Sequence, residues 1–241
     1  IESKQKISRL LHNLDQKHAQ LKVLDQKKSE FLSIASHHLR DPLTTIVGYA
    51  SMLLEGSFGE LSNDVKEAVD RIYESSKRLL DMISDFMDIS NIESGSMKYN
   101  FIDVDIKKLV VDLVNDMKQY SDRANLHLSV TVDDPEGSGY TTIADVVKIR
   151  QVFSNIIDNS IKYTPKGDVI VHLSKTPKGE GILFCVSDTG IGMSSNTIEE
   201  LFKKFSRAQG INKVYTEGTG LGLYVAKEIV EQQEGKIRAE S

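Results

Sequence analysis

Two histidines, His37 and His38, stand in the run Phe31-Leu32-Ser33-Ile34-Ala35-Ser36-His37-His38-Leu39-Arg40-Asp41-Pro42-Leu43. A neutral imidazole is both a nucleophile and a proton acceptor, so a polar pair inside an otherwise helical stretch can do chemistry. Pro42 removes one helical hydrogen bond and crowds the carbonyl of His38, which predicts a kink beside the pair. Asp41 lies four residues after His37, on the same helical face. A carboxylate there can hydrogen-bond the His37 ring and fix its tautomer.

Four further motifs follow in the second half. In Asn155-Ile156-Ile157-Asp158-Asn159-Ser160-Ile161-Lys162-Tyr163, Asn155 and Asn159 are four apart and share a helical face. With Lys162 they offer hard oxygen ligands and a phosphate partner, which suits a magnesium nucleotide. Asp188-Thr189-Gly190-Ile191-Gly192 places a carboxylate at a strand end, able to accept from an exocyclic amine, with glycines that permit close backbone approach. Phe202-Lys203-Lys204-Phe205 lies in a polar 25-residue stretch from Met193 to Glu217. Stretches that long are often lids, and Arg207 within this one can reach a phosphate. Gly218-Thr219-Gly220-Leu221-Gly222-Leu223 opens a helix whose N-terminal amides form an anion site. Taken singly, each motif is as readily a polar helix face, a turn or a helical turn.

The elements that must position these residues read as follows. Ile7, Leu10, Leu14, Leu21, Leu24 and Phe31 follow spacings of three, four and seven, the seam of a coiled coil. That helix should run to about Leu54, with a loop at 55–61 and a second helix from about Ser62 to Ile92. The pair forms a hairpin that buries its apolar stripes poorly alone and well as a dimeric four-helix bundle. Beyond a break at 93–96, strands are expected at Tyr99–Val104, Leu126–Val132, Thr141–Ala144, Asp168–Leu173, Gly181–Val186 and Lys236–Glu240. A turn at Pro177-Lys178-Gly179 separates two of them. Helices are expected at about 106–122, capped by Asp105, and at 145–163 and 219–233, with Gly235 serving the last C-terminus. This is an α+β sandwich, a mixed sheet with helices on one face.

Charged residues make up 27% of the 241, and 30 basic against 35 acidic residues leave a net charge of −5. Such a balance argues against nucleic-acid binding. No apolar run approaches the ~20 residues of a membrane span, so no membrane contact is expected here. The lone Cys185 excludes an internal disulfide and reads as a small buried hydrophobe. His12, His18, His127 and His172 read as structural or solvated. Both ends fall mid-pattern, so the sequence reads as part of something longer.

In their joint order these motifs resemble the H, N, G1, F and G2 boxes of the sensor histidine kinases. The likeness covers nearly the whole chain. It implies a coiled-coil signalling helix at 1–30, a dimerisation and phosphotransfer hairpin at 31–94, and an ATP-binding domain of the GHKL type at 95–241. That ATP-binding domain is similar to the ATPases of gyrase and MutL. The resemblance implies ATP and Mg²⁺ as cofactors, a homodimer, and a response-regulator receiver domain as partner. It also implies a place in the cytoplasmic portion of a sensor kinase. Asp188 would bind the adenine amine and Asn159 would hold Mg²⁺. Asn155, Lys162, Tyr163, Gly190 and Gly192 would surround the nucleotide, and Gly218, Thr219, Gly220, Leu221, Gly222 and Leu223 would cradle its phosphates.

The family's acceptor lies six after the phenylalanine and five before the proline, which selects His37. His38 then occupies the position of the family's Glu or Asp base, and Asp41 replaces a Thr or Asn that serves regulator dephosphorylation. Autophosphorylation that falls on acidification, with weak phosphatase activity, is the expectation. A degenerate nucleotide-binding dimeric module and an ATPase clamp are the alternatives.

Overall fold

The computed structural model describes residues 2–133, 139–176, 181–206 and 219–241, with side chains from Gln16 onward except at 18–22 and 25–26. The chain divides into two compact units, Ile1–Met97 and Lys98–Ser241.

The first unit is a helical hairpin, α1 (Glu2–Leu54) and α2 (Asn63–Glu93). Helix α1 is continuous through Pro42. Proline forfeits one hydrogen bond at a cost of about 3 kcal/mol, which a long helix packed along a partner can bear. Lys28 Nζ meets Glu93 Oε2 at 3.3 Å across the hairpin. The described apolar side chains it buries are Ala50, Val69 and Ile89. Phe31, Ile34, Ile46, Tyr49, Ile72, Leu79 and Phe86 are exposed, so the described residues of the hairpin leave a broad apolar face uncovered. Of the heptad seam, Leu24 and Phe31 are exposed, and the side chains of Ile7, Leu10, Leu14 and Leu21 lie outside the described residues.

The second unit runs β1 (Ile102–Asp105), α3 (Ile106–Arg123), β2 (Leu126–Val132), β3 (Thr141–Ala144), α4 (Val146–Lys162), β4 (Gly167–Lys175), β5 (Ile182–Asp188), α5 (Ser195–Glu200) and α6 (Gly222–Gln232). Among the described residues the strands form two sheets rather than one: an antiparallel β1–β3 pair, and the order β2-β4-β5 with β2 parallel and β5 antiparallel to β4. Alternation along β4 turns Val169, Val171 and Leu173 inward, where they are fully buried. Val110 and Val114 of α3, Ile157 of α4 and Val225 and Ile229 of α6 are also fully buried, and each such side chain contributes about 1.5–3 kcal/mol. Phe153 of α4 stacks on Phe184 of β5, centroids 3.9 Å apart.

Three local expectations need correction. The first strand starts at Ile102 rather than Tyr99. Its partner β3 offers only four residues, and the Asn100 amide donates to Asp145 Oδ2 at 2.8 Å instead. Residues 236–241 form no strand, because a strand exists only with a hydrogen-bonded neighbour and none is described there. Cys185 is exposed, not buried. It pairs across the ladder with His172 on the uncovered sheet face, while Phe184 and Val186 on either side point the other way. His172, read as structural or solvated, lies 2.9 Å from Thr131 Oγ1 and 3.5 Å from Asp133 Oδ2. The turn at Pro177-Lys178-Gly179 lies outside the described residues.

Asp105 caps α3 as expected, accepting from the Lys108 amide at 3.0 Å. Buried Asp145 does more at α4. Its carboxylate accepts from the amides of Val147 and Lys148, both at 3.0 Å, besides that of Asn100. Its own amide donates to Gln233 Oε1 at 2.8 Å, tying α4 to the end of α6. Burial is the largest influence on this carboxyl and raises its pKa. Together the amides of Asn100, Lys148 and Val147 and the Lys148 charge outweigh burial and hold the value below 3.8. A depressed native pKa gives stability that is fully present above the unfolded value and fades as pH falls through the native one. Asp145→Asn keeps the cap through its amide oxygen but loses the charge and turns an NH2 group toward the Asn100 amide. It should therefore lower Tm by about 2–8 °C at pH 7, from the ~1–2 kcal/mol of a charge-assisted bond replaced by facing donors. In thermal melts, the gap from the parent should narrow as the pH falls below ~4; a constant gap refutes the ionic cap.

Candidate functional sites

In the first unit, His37 and Asp41 stand one turn apart on α1. Asp41 Oδ2 is 3.2 Å from His37 Nδ1, and the two side chains are 63% and 73% exposed. The rings of His37 and His38 meet edge to face with centroids 6.2 Å apart. The next turn is tied to the backbone: Thr44 Oγ1 donates to the Arg40 carbonyl at 2.8 Å and Thr45 Oγ1 to that of Asp41 at 3.1 Å.

In the second unit, α4, the turn after β5 and the start of α6 come together. Asn155 Nδ2 donates to the Gly222 carbonyl at 3.2 Å, joining α4 to the first turn of α6. Asn159 Nδ2 donates to the Asn155 carbonyl at 2.8 Å. Both amide nitrogens are thus committed to carbonyls, and the two amide oxygens remain as hard donors. Lys162 Nζ pairs with Asp158 Oδ2 at 3.0 Å. Burial is the largest influence on Lys162 and lowers its pKa. Asp158, with smaller help from Tyr120 and Tyr163, reverses this and leaves the value above 10.5, so the ammonium stays charged.

Asp188 ends β5, exposed, on the strand side that Phe184 and Val186 share. Its Oδ1 accepts from the Gly190 amide at 2.9 Å. The Ile191 amide donates to the Tyr163 carbonyl at 3.1 Å, which docks the turn onto the end of α4. Gly190 is required by this approach, since a Cβ there would lie 2.4 Å from the Tyr163 oxygen and 2.7 Å from Asp188 Oδ1. Gly192 has φ +67°.

The glycine-rich residues from Thr219 to Leu221 lead into α6. Thr219 Oγ1 accepts from the Leu221 amide at 3.1 Å. Gly220 has φ +68°, and a Cβ there would stand 2.7 Å from the Ser206 carbonyl, so this loop lies against the end of the Phe202–Phe205 segment. The first-turn amides of α6 have no partner within the helix and form a ready anion site. Gly218 and residues 207–217 of the stretch expected as a lid, Arg207 among them, lie outside the described residues. At the other end of α6, the left-handed residue is Glu234 (φ +59°), not Gly235. Gly235 is the next one along, donating to the Val230 carbonyl at 2.9 Å, where a Cβ would crowd Val230.

Several positioning residues carried no sequence signal of their own. Thr189 Oγ1 accepts from the Asp168 amide at 3.1 Å and its amide donates to the Asp168 carbonyl at 3.2 Å, pinning the turn. Buried Thr164 donates to the Ser160 carbonyl at 2.7 Å beside Gly190. Lys204 Nζ lies 4.9 Å from the Tyr224 ring centroid. Burial, then Glu228, raises the Tyr224 pKa, while Lys204 opposes them. Only adjacency to the motifs could have drawn attention to these residues. A strand-end carboxylate accepts hydrogen bonds, two amide oxygens are hard donors, and an ammonium and a helix N-terminus attract anions, a combination whose chemistry matches an amine-bearing heterocycle linked to a polyanion. Among the described residues no cluster of His, Cys, Asp or Glu could hold a metal ion. No described helix is long and apolar enough to cross a membrane.

Residues 27–95 match the family model "His Kinase A (phospho-acceptor) domain", and residues 144–241 match "Histidine kinase-, DNA gyrase B-, and HSP90-like ATPase". The circadian input-output histidine kinase CikA of Synechococcus elongatus is 33% identical over 217 residues, covering 89% of this chain and 28% of that protein. The chain thus spans less than a third of this curated relative. Full-length ShkA in complex with AMPPNP superposes with a TM-score of 0.64 at 24% identity, over 84% of this chain and 40% of that one. ThkA in complex with the response regulator TrrA does so with a TM-score of 0.53 at 19% identity, over 88% of this chain and 57% of that one.

Proposed function

Since the chain belongs to the sensor histidine kinases, with their phospho-acceptor and ATPase domains in order, we propose that it phosphorylates itself on His37 from ATP and passes the phosphoryl group to an aspartate of a response regulator. The observation that carries this reading is the convergence of Asn155, Asn159, Asp188, Gly190 and the Gly220–Gly222 loop on one cradle.

Asp188 accepts the adenine amine, with Gly190 and Gly192 letting the ring approach backbone. The α6 amides and the loop from Gly218 to Leu223 take the phosphates. Lys162 and Tyr163 border the nucleotide, and Arg207 supplies a further cation from the lid. The oxygens of Asn155 and Asn159 fit Mg²⁺, which takes few protein ligands and completes its shell with water and phosphate. That ion would neutralise charge developing on the transferred group. The exposed apolar face of α1 and α2 is covered by a second copy, and a receiver domain docks on the hairpin. His38 stands where the family carries its base.

The test is incubation with γ-labelled ATP and Mg²⁺. We expect acid-labile, base-stable label on the protein, absent in His37→Gln. Bound ATP without label would support a degenerate module instead, and released phosphate without labelled protein an ATPase clamp.

A further inference from the structure

We propose that Asp41, rather than the adjacent His38, is the residue that orients His37 for phosphorylation, an inference that rests on the reading of His37 as phosphoacceptor. The geometry separates the two neighbours. Consecutive helical residues point about 100° apart, whereas residues four apart stack on one face. Asp41 Oδ2 stands 3.2 Å from His37 Nδ1, an ion-pair contact close enough that a small rotation of either exposed side chain aligns an Nδ1–H with the carboxylate. The His38 ring lies edge-on with its centroid 6.2 Å away.

The nitrogen of a histidine that carries the proton is set by the hydrogen bond made at the other edge of the ring. A carboxylate accepts only, so Asp41 at Nδ1 selects the Nδ1–H form. The Nε2 lone pair is then free and points away from Asp41. As Nε2 forms its bond to the γ-phosphorus of ATP, the bond from phosphorus to the β,γ-bridging oxygen breaks, and ADP leaves with that electron pair. The ring is now cationic at Nδ1–H, against the carboxylate that stabilises this charge and can accept the proton. Asp41 touches neither ATP nor the reacting nitrogen, so it acts as a positioning residue.

The decisive variant is Asp41→Ala in the whole chain, because alanine is the best helix former and leaves α1 intact. Autophosphorylation should fall on the order of tenfold in kcat, with KM for ATP within about twofold of the parent. Asp41→Glu should recover part of the rate. Two-bond proton–nitrogen correlation spectra of His37 should read Nδ1–H in the parent and shift toward Nε2–H in Asp41→Ala. In His38→Gln the His37 tautomer should stay as in the parent. An unchanged tautomer in Asp41→Ala overturns the proposal, and so does a shift seen only in His38→Gln. The tautomer is read without ATP. Absence of label on the parent chain therefore fails the kinase reading, whereas a tautomer indifferent to residue 41 fails the orienting role.

Discussion

Asp188→Asn should reduce ATP affinity on the order of tenfold to a hundredfold and bring autophosphorylation label close to background, with the fold intact. The carboxylate caps β5 and holds its own turn through the Gly190 amide at 2.9 Å. Asparagine can keep that bond with its amide oxygen, and residue 188 is exposed, so stability should change little. What is lost is the second acceptor, since the amide nitrogen would face the adenine amine donor to donor. A hydrogen bond to a charged acceptor contributes about 1.5–3 kcal/mol, and leaving a donor unsatisfied costs a similar amount. Calorimetric titration with a non-hydrolysable ATP analogue, with circular dichroism as the fold control, decides it. Binding within threefold of the parent would remove Asp188 from the adenine site.

Gly190→Val should lose nucleotide binding and lower the melting temperature of the second unit together. The new Cβ would fall 2.4 Å from the Tyr163 carbonyl and 2.7 Å from Asp188 Oδ1. The first of these atoms is backbone and cannot swing aside. The turn must move off the end of α4, breaking the 3.1 Å bond from the Ile191 amide to Tyr163. Overpacking of this kind costs about 1–3 kcal/mol, and the lost hydrogen bond about 1 kcal/mol more. A Tm drop of roughly 5–12 °C follows for a unit of this size. Melting with and without ATP analogue should show ligand stabilisation in the parent and none in the variant. A variant that melts like the parent would mean that the turn is not held against α4.

These effects differ in how far they could be foreseen. Asp188 and Gly190 announced themselves as a motif, but the Tyr163 carbonyl that makes Gly190 irreplaceable lies across a long-range contact. Helix limits were readable where apolar periodicity met a cap, as at Asp105. Asp145 was read as the first residue of its helix rather than its cap, although the amides it caps, Val147 and Lys148, are local; only its bonds to Asn100 and Gln233 come from remote segments. Strand reading failed in the same way. Tyr99–Val104 has strand composition throughout, yet its length is limited by four-residue β3. Cys185 sits in an apolar run, and it is exposed because the helices pack on the opposite sheet face, where Phe184 meets Phe153.

The sequence by itself determined the local matters: two long helices, the strand alternation and the order of the motifs along the chain. The His37–Asp41 contact belongs here too, since helical geometry brings residues four apart together. The tertiary structure alone decided the strand order β2-β4-β5 and its split from β1–β3. It also decided which sheet face is covered, and the meeting of Asn155 with Gly222 and of Tyr163 with the Asp188 turn. The physical reason is range. Propensity, capping and periodicity act within a few residues, whereas burial rewards any apolar face that finds cover and does not name its partner in advance.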